Sequence, residues 1–170
     1  MERPNDLKLE GAAIMGGSFR NFAAREDRFG KPSKGYFHID LNKCENHEKL
    51  IEDLTNDGWA VKIKPPREEG DEALAILKVN VNFNSSFKPP KVFMVTNGKP
   101  VRLDEESIGE LDFADIKKAD LIINPSVYSI AATGKEGISA YLDVGYFECS
   151  ADPFAEKYAT EENPDEVPFN

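Results

Sequence analysis

Three stretches of this chain alternate apolar and polar residues with period 2, and that alternation constrains the fold more than any other feature. Tyr36-Phe37-His38-Ile39-Asp40-Leu41 puts Phe37, Ile39 and Leu41 on one face. Trp59 to Lys64 turns Trp59, Val61 and Ile63 inward and Lys62 and Lys64 outward. Leu77, Val79, Val81 and Phe83 alternate against Lys78, Asn80 and Asn82. A segment written this way buries one side only, as a half-exposed β-strand does. Asn97-Gly98, between Val92 to Thr96 and Val101 to Leu103, is a hairpin signal because a type I′ turn needs positive φ at both central positions. Ala12 to Met15 opens a further strand. Leu121-Ile122-Ile123 and Val127 to Ala131 read as one interrupted strand region, and Gly134 to Gly137 turns the chain into Ile138 to Phe147. One helix is expected from Glu45 to Asn56, where Leu50, Ile51 and Leu54 share a face and Asn56-Asp57-Gly58 stops it. The sum is a mainly β chain. The first choice is an OB-fold-like small barrel with one inserted helix and long loops; the pattern also allows another small barrel or a sandwich.

Length and charge then divide the chain. Its 170 residues suit one domain with an appendage. The net charge of −10 is unevenly spread, since residues 151–170 hold six acids and one base. That stretch contains two proline steps near its end and too little apolar surface to offset its ordering entropy. We expect a folded domain over 1–150 and a disordered acidic tail over 151–170. No run approaches the roughly 18 apolar residues of a membrane span. The first residues lack the apolar core of an export signal. Cys44 and Cys149 are too few for a disulfide framework, so a reducing cytoplasm is expected.

The loop from Phe19 to Tyr36 interleaves cations with aromatics. Arg20, Arg25, Arg28, Lys31 and Lys34 alternate with Phe22, Phe29 and Tyr36 between two expected strands. Single-stranded nucleic acid asks for this pairing: cations follow the phosphates, and aromatic faces stack on bases at about 1–3 kcal/mol each. The competing reading has the Phe rings anchoring the loop to the core and the cations solvated. Lys62, Lys64 and Lys78 would add a basic sheet face if their strands are neighbours, and the plain alternative is an ordinary solvated face.

Other chemistry is thinly supported. His38, Cys44, His47 and Cys149 supply four zinc-type donors, but the spacing does not gather them, and no metal or cofactor is expected. Gly134-Lys135-Glu136-Gly137 lacks both the leading Gly and the Ser or Thr of a phosphate loop, so it reads as a turn. No nucleophile elbow occurs, and enzymatic activity is not expected.

Asp165-Glu166-Val167-Pro168-Phe169 resembles the acidic tail of single-stranded DNA-binding proteins (SSBs). The departure from that pattern is Asn170, which follows a Phe that is usually terminal in those proteins. The strand–loop–strand of 12–41, Asp120 to Pro125, and Gly134 to Leu142 are similar to stretches of phage SSBs. The resemblance implies an OB-fold, sequence-tolerant binding of single-stranded DNA, and a role in replication, recombination or repair. It also implies that the tail recruits replication or recombination proteins and shields the DNA groove. A second copy of the chain, as a homodimer, is compatible with it. The alternative from a different class is a small β-domain for protein interaction or virion association, with the tail serving solubility.

Overall fold

A computed structural model describes residues 2–26, 28–31, 34–84 and 88–150. Its strands are β1 (Leu7–Ile14), β2 (Arg20–Asn21), β3 (Gly35–Asp40), β4 (Val61–Lys64), β5 (Leu74–Val81), β6 (Lys91–Thr96), β7 (Lys99–Leu103), β8 (Ile116–Ile130) and β9 (Lys135–Cys149). The helices are α1 (His47–Asp57) and the single turn α2 (Glu110–Phe113).

Five strands close a ring. β1 pairs with β3, β3 with β5, β8 with β1 and β9 with β8, all antiparallel, and β5 closes onto β9 in parallel. One parallel step in an otherwise antiparallel five-strand ring matches the Greek-key barrel of the OB-fold. The mainly β, OB-fold-like expectation therefore holds. The helix inserted between β3 and β4 is joined by α2, a turn too short to leave a sequence period. β4 hangs on the outer edge of β5, and the β6–β7 hairpin is attached to the second half of β9.

The inward sides of the alternating segments fill the ring. Phe37, Ile39, Val79, Ile123, Ile138 and Phe147 are completely buried. Phe22 completes an aromatic cluster with Phe37 and Phe147, its ring 5.1 Å and 5.3 Å from theirs. Burying one such ring stabilises a fold by about 3 kcal/mol or more. Gly35 admits β3 at its closest approach, because a Cβ there would lie 2.7 Å from the Val81 carbonyl oxygen.

Details depart from the periodicities. Ile63 has inward parity but is 53% exposed, because β4 pairs only with β5 and the core reaches under it only as far as Val61. Trp59 is buried, as expected, though it makes a lone parallel bridge to Ile138 rather than belonging to β4. Arg20 and Asn21 begin a short strand instead of the expected loop, pairing with Phe37 and Tyr36. The region expected to be interrupted is continuous within β8, which ends at Ile130; its register shifts between Ile122 and Ile123, where β9 carries Asp143 as an extra residue. Past that point β8 and β9 continue as a long hairpin whose tip exposes Val127, Tyr128 and Ile130. Among the described residues no helix is long and apolar enough to cross a membrane.

Candidate nucleic-acid interface

The polar sides of the same strands meet on the outer face of the ring. On β3, Tyr36 and His38 point away from the buried Phe37 and Ile39. Register sets Tyr36 opposite Asn80 and His38 opposite Lys78 on β5. Lys62 and Lys64, opposite Ile76 and Leu74, share that outward parity with Lys78. The row through Tyr36 runs on in both directions. Asn21 pairs with Tyr36, Asn80 lies beside Tyr141 of β9, and Tyr141 is opposite Asn124 of β8. An amide and a phenol therefore alternate across neighbouring strands, a track of roughly 19 Å at about 4.8 Å per strand.

Cations sit on the aromatic rings of this face. The Lys78 ammonium lies 4.7 Å from the Tyr36 ring centroid, and that of Lys64 lies 4.7 Å from the Phe19 ring. His38 stands between those rings, edge-on to each at 5.4 Å. Its Nδ1 is 2.7 Å from the Phe19 carbonyl oxygen, which only accepts, so Nδ1 carries the proton of the neutral ring. The Tyr36 hydroxyl donates to the Ser18 carbonyl at 3.2 Å. These bonds anchor the end of the 16–19 turn onto β3.

Burial pushes the His38 pKa below its ordinary value, and Lys78, Lys64 and Lys62 push the same way against the opposing Phe19 carbonyl. A neutral His38 is thus part of the folded state, whereas the unfolded chain takes up a proton near pH 6.5. Between the folded pKa and about 6.5 the unfolded chain holds more protons, so stability rises with pH there. We expect the protein to lose stability as pH falls below about 6.5, and His38→Asn to lose less. Urea midpoints of both proteins at pH 8 and pH 5.5 check this; parallel shifts would remove His38 as the cause.

The residues expected to bind nucleic acid divide into three groups. Tyr36, Lys62, Lys64 and Lys78 come together on the outer face. Arg28 lies over the ring of Phe29 at 4.8 Å, and Phe29 is 74% exposed, with Lys31 and Lys34 also at the surface of this loop. Phe22 needs correction: it is 2% exposed, and a ring packed on both sides offers no face to a base. Arg20 is also redirected. Its guanidinium donates to the carbonyls of Met15, Leu111 and Ala114 at 2.8–3.0 Å, tying the loop to α2. Arg25 pairs with Asp112 at 3.1 Å and covers the Phe113 ring at 4.6 Å. The same carboxylate accepts the Phe22 and Ala23 amides, so Asp112 organises residues 20–25. The tail residues Asp165, Glu166, Val167, Pro168 and Phe169, with the 151–170 segment as a whole, lie outside the described residues.

Sequence reasoning did not place Phe19, His38, Tyr141 or Asn124 on this face, although Phe19 was counted in the cation-rich loop, and Asn124 and Tyr141 fell in stretches similar to phage SSBs. Tyr141 shares the parity of Ser139 along β9, but only the parallel β5–β9 register brings it to Asn80. The four zinc-type donors stay apart: His38 is bonded to Phe19, and Cys149 is buried at the end of β9. Among the described residues, His47 and Glu48 at the start of α1 and Glu72 just before β5 bring ligand-type atoms within 4.8 Å at the surface.

Two comparisons find relatives. A family model described as a phage ssDNA-binding domain matches residues 1–167. The single-stranded DNA-binding protein of bacteriophage Enc34, solved in complex with ssDNA, is similar in fold, with a TM-score of 0.53 at 12% identity over 88% of this chain and 89% of that one. A C-terminal truncation of the Enc34 protein matches at 0.52 and 11% identity, covering 88% of each chain. At such identities the likeness is one of fold. No curated protein matches in sequence.

Proposed function

This chain belongs to the phage ssDNA-binding domain family, and on that premise we propose that it binds single-stranded DNA across the outer face of β3, β4 and β5. The observation that carries this reading is the placement of Lys62, Lys64 and Lys78 around Phe19, Tyr36 and His38. Cations beside half-buried aromatic rings bind the phosphates and bases of a flexible strand with little regard to sequence. The second and third strands of an OB barrel, here β3 and β5, form its usual ligand face. A chain of net charge −10 can do this because a local positive groove, not the total, attracts the strand. The work is binding and protection of exposed strands during phage DNA replication, recombination and repair, in the host cytoplasm.

The acidic segment 151–170 regulates access in this proposal. It is tethered to the domain that carries the basic face, with an effective concentration on the order of millimolar, and it competes with DNA. Phe169 and the acids before it capture replication or recombination proteins. The test is a fluorescence titration of labelled oligo-dT against salt, with the full chain and with a chain ending at Ser150. Binding by the full chain should weaken steeply as salt rises. The shortened chain should bind more tightly, above all at low salt where charges are unscreened. Salt-independent affinity would remove the electrostatic basis of the DNA reading; equal affinities would make the tail a solubility device.

A further inference from the structure

Resting on the reading that the outer face carries single-stranded DNA, we propose that a cavity at the middle of the Tyr36–Tyr141 row takes one base of the bound strand and favours guanine. The cavity has a volume of about 250 Å³, and Asn80 and Tyr141 belong both to it and to the row. A strand lying along the row therefore passes its mouth. Sites for whole small molecules run to about 300–1,000 Å³, so this one suits a single heterocycle with its sugar left outside. The walls include Val81, Ile108 and the partly buried Phe83, an apolar bed for a flat ring.

The polar groups of the lining discriminate among bases. Glu105 offers a carboxylate, which only accepts. Asn80 donates its Nδ2 to the Ala140 carbonyl at 3.0 Å, which leaves its amide oxygen as a second acceptor for a ligand. Asn82 accepts the Asn84 amide on Oδ1 at 3.0 Å, so it meets a ligand as a donor. Guanine alone carries two adjacent donors, N1–H and the 2-amino group, matching a carboxylate with two bonds. Its O6 and N7 accept from an amide such as that of Asn82. Cytosine and adenine present one amino group beside an acceptor nitrogen. Thymine places its one N–H between two carbonyls, which a carboxylate repels.

The experiment uses the full chain and a short labelled oligo-dT carrying one dG, dA, dC or deoxyinosine at successive positions. One dG should tighten binding about tenfold, while dA and dC change it little. Deoxyinosine keeps N1–H and lacks the 2-amino group, so it should lose most of the gain. Glu105→Gln should bring the ratio of dG-containing to all-dT affinity close to one. Equal affinities for all substitutions, a full gain with deoxyinosine, or a gain that survives Glu105→Gln would overturn the proposal. Failure to bind oligo-dT itself would instead strike the DNA reading on which it rests.

Discussion

Replacing Lys62, Lys64 and Lys78 together by alanine should weaken ssDNA binding about a hundredfold at 0.1 M salt. Each phosphate neutralised on a single strand contributes about 0.7 to the slope of log affinity against log salt. With three phosphates no longer neutralised, the slope should flatten by about 2, and the two proteins should converge as salt approaches about 1 M. The three side chains lie on outer β4 and β5, with Lys62 and Lys78 exposed and Lys64 half-buried, so the melting temperature should hardly move. The control is Arg20→Ala and Arg25→Ala, whose guanidinium groups serve Met15, Leu111, Ala114 and Asp112. Those changes should cost stability and leave the slope nearly intact. A slope that responds to the arginines and not to the lysines would move the DNA path to the 20–34 loop.

Phe22→Ala should destabilise the domain by about 3–5 kcal/mol, the loss expected when a buried aromatic leaves a cavity. Phe22 stacks on Phe37 with 16° between their rings and meets Phe147 edge-on, so neither neighbour can collapse into the space without moving the other. At about 2–4 °C per kcal/mol, the melting temperature should fall by about 10 °C. Tyr36→Ala should do the reverse, weakening DNA binding by about 1–3 kcal/mol with a small change in melting. Calorimetry and titration of the two variants separate the roles. A stable Phe22→Ala protein with impaired DNA binding would return Phe22 to the interface and contradict its burial.

These two aromatics show how much could be read without coordinates. Phe22 and Tyr36 both fall in a cation-rich loop, and composition treats them alike. Burial parts them, since Asp112 bonds the amide of residue 22 and draws the chain against the barrel at that point. Arg20 and Arg25 turn away from phosphate for the same reason: their partners on and around α2 are some ninety residues away in sequence. The places of Tyr141 and Asn124 on the face, and the cavity beside Glu105, were invisible because each is defined by neighbours on other strands.

What the sequence determined by itself was local and periodic. Alternation sorted Phe37, Ile39, Leu77 and Val79 inward and Lys62, Lys64 and Lys78 outward. Asn97-Gly98, both at positive φ, placed a hairpin, and Gly58 stopped α1. Side-chain direction in a strand depends only on parity, so a single stretch of chain carries that information. Tertiary structure decided which outward residues meet. Strand order and register arise from closing the ring, where the parallel step from β5 to β9 joins segments about sixty residues apart. That pairing is chosen by the packing of the whole core. It aligned Tyr36, Asn80, Tyr141 and Asn124 into one track, a relation that no one of their strands contains.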